Sequence, residues 1–210
     1  MILSLDTTSE FGSIALTEGE STIEEQPLHS PDGFGHVLFQ HVRALLARHG
    51  VPAREIDCFA AASGPGSFTG VRVGLAAVKG LAEATGKRVV AVSNLRALAS
   101  FGSAPLRATV IDARRGEVYA ALYNSRLEAV LPEVVMKLED WIQRLPRENL
   151  QFVTAFSIDT QFPVVTAPRQ LAAAIGRIAW SEFSAGRAVD PAAIDANYVR
   201  RSDAEIFWKD

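Results

Sequence analysis

The residues that could do chemistry lie at turns and in one glycine-rich stretch. Asp112 and Glu117 of "IDARRGEVYAALY" straddle a turn, where two carboxylates could move protons; solvent-facing hairpin residues are the plainer account of them. His36 and His41 are five apart, which turns them roughly 140° from each other on a helix and keeps them from sharing a metal. His29 precedes Pro31 in a loop, and His49 sits at a helix end, where a cation is mildly favourable. No metal site is expected. The single cysteine, Cys58, excludes a disulfide framework and a cysteine metal centre.

The stretch "GPGSFTGVRVGLAAVKGLA", residues 64–82, has the look of a phosphate loop but fails each specific test. A P-loop needs lysine and a hydroxyl after its last glycine, whereas Val71 and Arg72 follow Gly70. A dinucleotide fingerprint needs G-x-G-x-x-G and an acid about 20 residues on, yet three residues separate Gly66 from Gly70 and "RVVAVSN" carries no acid. Ser67 lacks the glycines of a nucleophile elbow. What remains is a tight turn into a helix that Ser67 or Thr69 can cap, with free amides able to hold an anion weakly. Gly70 with Gly74, and Gly80 with Ala84, lie four apart, and each helical glycine costs roughly 1 kcal/mol relative to alanine. Close approach of a neighbour, in this chain or another, would offset that. Arg72 and Lys79, seven apart, would rim such a contact.

The elements that must position these residues follow from periodicity. Residues 1–103 read as β-β-α-β-α-β-α: two strands around the Asp6 turn, an amphipathic helix with Phe34, Val37, Leu38, Val42, Leu45 and Leu46 on one face, the buried run "IDCFAAASG", the glycine helix ending at Gly86, the strand "RVVAVSN" and a short helix. The second half restarts with "ATVIDARRGEVYAALYN". Strand–Asp6–turn–strand is thus repeated as strand–Asp112–turn–strand, which we read as an internal duplication. Strands over "LEAVLPEVVM" and "QFVTAF" follow, with helices over "LEDWIQRLP" and "PRQLAAAIGRIAWSEFSAG". The expected division is an α/β domain at 1–103, a smaller α/β domain at 104–190, and a segment at 191–210 whose Tyr198, Phe207 and Trp208 dock it on the body.

Composition sets limits on function. With 210 residues the chain can bury an ordinary core. A net charge of −3 offers no global field to draw in a polyanion, which argues against direct nucleic-acid binding. The start "MILSLDTTSE" has no basic leader, and no run approaches the ~18 apolar residues of a membrane span. A soluble, cytoplasmic protein is expected.

Together, "ILSLDTTSEFGSIAL", "GPGSFTGVRVGLAAVKGLA", "VSNLRALA" and "IDARRGEVYAALY" resemble the TsaB (YeaZ) family, which supports threonylcarbamoyladenosine synthesis in tRNA. The matched motifs span residues 1–123, and "ANYVRR" resembles the family's closing Tyr-Leu-Arg segment with Val199 for leucine. The resemblance implies an actin-like, Hsp70-like ATPase (ASKHA) fold of two related α/β halves, the second reduced. It further implies a subunit interface built from the glycine helix and the preceding helix. We expect that interface to use His36, Phe39, Arg43, Gly70, Val71, Arg72, Gly74, Leu75, Val78 and Lys79. In actin-like kinases the first hairpin cradles ATP, so Asp6, Thr7, Thr8 and Asp112 are the candidates for nucleotide contact; Thr8, however, stands where those enzymes have glycine.

The expected function is therefore a non-catalytic partner subunit for modification of adenosine 37 in ANN-reading tRNAs. Its partners would be the catalytic paralogue TsaD, TsaE and a second copy of itself. It would meet tRNA only through the complex, and bind no cofactor of its own, with ATP or ADP at the joint between subunits. The rival readings are an ATP-dependent phosphotransferase using Asp6 and Asp112 about a metal, and an M22-type glycoprotease-like peptidase.

Overall fold

A computed structural model describes residues 1–200. The chain divides into two compact units, one of residues 1–97 with 169–196, the other of 98–168 with 197–200. In the first, strands β1 (Ile2–Asp6), β2 (Phe11–Glu18), β3 (Ser21–His29), β4 (Cys58–Ala62) and β5 (Arg88–Val92) form a sheet in the order β3-β2-β1-β4-β5. The β1–β2 and β2–β3 pairs are antiparallel; β1–β4 and β4–β5 are parallel. Every residue of β1 and β4 is buried, because helices cover both faces; this is why the two strands read as unbroken small or apolar runs.

Helices α1 (Leu38–Arg48) and α2 (Phe68–Thr85) share one core with Leu3, Leu5, Ile14 and Leu16. A short α3 (Asn94–Ala99) follows β5. Ser4 and Ala15, on the opposite face, meet the late helix α5 (Ala172–Ser184): Ser4 Oγ donates to the Ala172 carbonyl at 2.7 Å. The Glu25 carboxylate on β3 accepts from Ser13 Oγ (2.9 Å) and from the Ala173 N–H (3.0 Å), satisfying the first turn of α5. Helix α5, read from sequence within 104–190, thus belongs to the first unit.

The second unit repeats the plan. Strands β6 (Leu106–Asp112), β7 (Glu117–Asn124), β8 (Ala129–Lys137), β9 (Leu150–Thr154) and β10 (Val164–Thr166) take the order β10-β9-β6-β7-β8, with β6–β7 and β7–β8 antiparallel and β6–β9 and β9–β10 parallel. Matched strand for strand, β6 stands for β1, β7 for β2, β8 for β3, β9 for β4 and β10 for β5. The second copy is the reduced one. Helix α4 (Leu138–Gln143) has six residues where α1 has 11, and loop 155–163 replaces α2 between the last two strands. Its core gathers Val110, Leu122, Trp141 and Phe152.

Three local features differ from expectation. Strand β3 was not anticipated, because its burial is intermittent and its "STIEEQPLH" carries charge and a proline, as edge strands do. Helix α1 begins at Leu38; Phe34 precedes it, and its buried ring lies so near Gly12 that a Cβ there would come within 2.9 Å of Cζ. Strand β10, only three residues long, carried no pattern to read. Of the final segment, Asn197 Nδ2 donates to Glu133 Oε2 at 2.6 Å, whereas Arg201, Phe207 and Trp208 lie outside the described residues. No helix among the described residues is long and apolar enough to cross a membrane.

Cys58 lies wholly inside the first core, and burial, reinforced by the neighbouring Asp57 charge, pushes its thiol up to about 12. We expect no reaction with a thiol reagent at pH 8 in the native protein and one equivalent in denaturant, since only the thiolate attacks. Rapid labelling of the folded chain would contradict this.

Candidate functional site

The turn between β1 and β2 is closed by its own side chains. Asp6 Oδ1 accepts the Thr8 N–H at 3.0 Å and the Thr8 hydroxyl at 2.7 Å. Asn94 at the start of α3 donates to Thr8 Oγ1 (2.8 Å) and accepts from the Gly64 N–H (3.0 Å). Asp6 is 2% exposed. Its pKa is raised: burial dominates, the Thr8 and Asn94 hydrogen bonds pull it back, and the Glu25 charge adds to the rise.

The unfolded chain loses the Asp6 proton near pH 4, before the folded chain does, so stability falls as pH rises from there until the folded carboxyl ionises. Asp6→Asn keeps an acceptor for Thr8 and has no charge to bury. The variant should be the more stable protein in urea at neutral pH, and the advantage should vanish below about pH 4. A variant weaker than the parent at every pH would contradict that.

The glycine helix answers to this same turn. Ser67 caps α2 by accepting the Gly70 N–H (3.2 Å), while its own N–H donates to the Thr8 carbonyl (2.7 Å). Thr7 Oγ1 donates to the Gly70 carbonyl at 2.7 Å. A Cβ at Gly66 would lie 2.7 Å from Thr8 Cβ, one at Gly74 2.6 Å from Thr7 Oγ1, and one at Gly70 would collide with the Thr7 carbonyl. The close neighbour that offsets these glycines is therefore the chain's own first hairpin.

This corrects the expected seam. Val71, Gly74, Leu75 and Val78 are buried in the unit's own core, and half-buried Gly70 abuts Thr7. The residues here also do not fit a nucleotide phosphate beneath the first turn. Asp6 and Thr8 are engaged with each other, the space beside Thr7 is taken by α2 at Gly70 and Gly74, and that beside Thr8 by Gly66 in the turn before it.

The outer face of α2 differs in kind. Phe68, Arg72, Ala76 and Gly80 follow one another at intervals of four and are exposed, with Phe68 at 47% and the Arg72 guanidinium 3.5 Å from its ring centroid. A Cβ at Gly80 would meet nothing within 4 Å. On α1 and the turn before it, His36, Phe39 and Arg43 are exposed, Phe39 at 55%. Lys79 is half-buried. Sequence reasoning left out Phe68 and Ala76, and it singled out Gly80 beside Ala84 without placing it among the interface residues; the four-residue spacing that links the three was visible.

The second turn mirrors the first electrostatically. Asp112 Oδ1 accepts the N–H of Arg114, two residues on, at 2.8 Å, as Asp6 does from Thr8. Here the carboxylate is half exposed, at 51%. Glu117 Oε2 accepts from Arg200 Nη2 at 2.5 Å, and Arg200 Nη1 donates to the Ala113 carbonyl at 2.8 Å. Arg114 and Arg115 both hold left-handed backbone, φ 63° and 57°, at a cost of roughly 1–2 kcal/mol each for residues bearing a Cβ.

The histidines are dispersed. His41 Nδ1 pairs with Gln26 Nε2 (2.9 Å), His49 with Glu24 (2.7 Å), and His29 stacks on Phe11. Among the described residues, no three His, Cys, Asp or Glu side chains converge on a point where a metal could sit.

Comparison with known proteins agrees with this architecture. The family model described as TsaD, tRNA N6-adenosine threonylcarbamoyltransferase, matches residues 31–182. The tRNA threonylcarbamoyladenosine biosynthesis protein TsaB of Bacillus subtilis is 33% identical over 70% of this chain and 67% of its own. That of Escherichia coli is 32% identical over 73% and 69%. The solved structure of YeaZ from Pseudomonas aeruginosa superposes with a TM-score of 0.80 at 26% identity, covering 94% of this chain and 98% of that one. With ordered motifs, a duplicated pair of five-stranded sheets and these relatives in agreement, the chain belongs to the TsaB (YeaZ) family of tRNA threonylcarbamoyladenosine biosynthesis proteins.

Proposed function

We propose that this chain is a non-catalytic partner subunit in threonylcarbamoylation of adenosine 37 in ANN-reading tRNAs, docking on a TsaD catalytic paralogue and acting together with TsaE. The observation that carries the reading is the outer face of α1 and α2. Both helices lie on one side of the first sheet and share one core. Outward they present Phe39 and Phe68, small Ala76 and Gly80 on the same helix as the cationic Arg72 and Lys79, and His36 and Arg43 at the margin. Exposed aromatics beside residues small enough for backbone approach are what a helix-on-helix interface uses. The carboxylates that a phosphotransferase would need are meanwhile committed to closing turns.

The same face serves self-association, so the homodimer and the TsaD heterodimer exclude one another. ATP or ADP, where bound, belongs at the joint with the partner and not in the closed first turn. Light scattering after size exclusion tests this. The chain mixed with TsaD should elute as a stoichiometric heterodimer with the self-dimer depleted; two separate peaks at micromolar concentration would defeat the proposal.

A further inference from the structure

A cleft of about 610 Å³ opens in the second unit where β6, β9 and β10 begin, a size that suits a small ligand or the last residues of a peptide. Pro105, Leu150, Phe162 and Pro163 give it an apolar lining, and Arg147, Asn149 and Gln161 stand exposed around it. Its lining holds no carboxylate, and Arg147 pairs with none among the described residues. The loop that forms one wall is braced from beneath. Buried Gln151 turns its carboxamide oxygen to the N–H groups of Ser103 and Ala104, while Arg107 donates to the Ala99 and Ala104 carbonyls, each at 3.1 Å. Burial lowers the Arg107 pKa, with no acid beside it to pull the other way. The cleft thus joins an apolar floor to uncompensated positive charge, in a chain whose net charge is −3.

The sheet edge beside it is open. Strand β10 is the last of its sheet and pairs only with β9. The Phe152 N–H donates to the Pro163 carbonyl and the Ala167 N–H to the Thr154 carbonyl, both at 2.8 Å. By the alternation of a parallel ladder Val165 also faces β9, which leaves the N–H and C=O groups of Val164 and Thr166 directed outward. Both residues are exposed, Val164 at 41%. Such an edge is a template for an added strand.

We propose that the cleft and the β10 edge together bind the C-terminal end of an extended partner polypeptide. Its main chain adds to the sheet antiparallel to β10, so that it arrives at Gln161–Pro163 with its last residue. The terminal carboxylate there meets the Arg147 guanidinium, whose planar fork suits it, and an apolar last side chain covers Leu150 and Phe162. A free amine has no acid in the lining to meet, which disfavours an N-terminus. This surface belongs to the second sheet and does not depend on the docking reading of α1 and α2.

The test is fluorescence anisotropy with the full chain and a fluorescein-labelled peptide, Gly-Ser-Thr-Val-Thr-Val-Leu, carrying a free C-terminal carboxylate. It should bind at tens of micromolar. The C-terminal amide of the same peptide, and Arg147→Gln in the protein, should each weaken binding at least about 10-fold, the loss of one charge-assisted pair. Thr166→Pro removes an outward N–H that the fold does not use and should weaken binding about 5-fold with the melting temperature unchanged. N-methylation of the peptide at alternate positions removes the same bonds from the ligand side, so one of the two alternating sets should bind about as weakly even if Thr166→Pro proves unstable. Equal binding of acid and amide, or no binding at about 1 mM peptide, would overturn the proposal. Carboxylate-dependent binding that ignores both Thr166→Pro and N-methylation, and that N-acetylleucine competes away as well as the peptide does, would overturn it in favour of a small-carboxylate site.

Discussion

Gly74→Leu should destabilise the first unit by about 3 kcal/mol, which for a chain of this size lowers the melting temperature by roughly 10 °C. Even a Cβ at this position would lie 2.6 Å from Thr7 Oγ1, inside any real contact distance. Moving Thr7 away breaks its 2.7 Å hydrogen bond to the Gly70 carbonyl, worth about 1 kcal/mol, and disturbs the Asp6–Thr8–Asn94 linkage beside it. Overpacking a filled site adds typically 1–3 kcal/mol. A control lies on the same helix: Gly80→Ala, on open surface, should stabilise by up to about 1 kcal/mol, through helix propensity alone. Thermal unfolding followed by circular dichroism reads both. A Gly74→Leu protein that melts with the parent while losing self-association would return Gly74 to the subunit seam.

The second large effect is on assembly. Replacing Phe39 by Asp together with Gly80 by Leu should weaken both self-association and TsaD binding at least 100-fold, the roughly 3 kcal/mol that loss of an aromatic anchor commonly costs. Phe39 is 55% exposed and Gly80 has open space above it, so neither change disturbs the monomer's core. Sedimentation velocity and circular dichroism together decide the matter: dissociation with an unaltered spectrum is the expected pair of results. Undiminished pairing would mean that this face is ordinary solvated surface.

The duplication was legible because Asp6 and Asp112 recur at equivalent turns, and both do accept the N–H two residues on. That the helical glycines need a close neighbour was also legible, since an unoffset glycine is costly. Which neighbour was not, because one spacing serves a hairpin of the same chain and a helix of another equally well. Gly70 and Gly74 turned out to answer to Thr7, and Gly80 to open space. Long-range placement left no local trace: the return of α5 to the first sheet depends on Ser4, Ser13 and Glu25, whose bonds to residues 172 and 173 span 148 to 168 positions of chain. Edge strands such as β3 hide their period behind charge and proline.

The most direct test of the central claim is reconstituted tRNA threonylcarbamoylation with TsaD, TsaE and a supply of threonylcarbamoyl-adenylate, into which the chain is added as the Asp6→Asn/Asp112→Asn double variant. Both substitutions keep the oxygen that closes each turn and remove the carboxylates that metal-assisted chemistry on this chain would need. The account predicts modified tRNA at the parent rate when the subunit is saturating, and none with Phe39→Asp/Gly80→Leu. Loss of product with the carboxylate variant, still folded and still bound to TsaD, would contradict it.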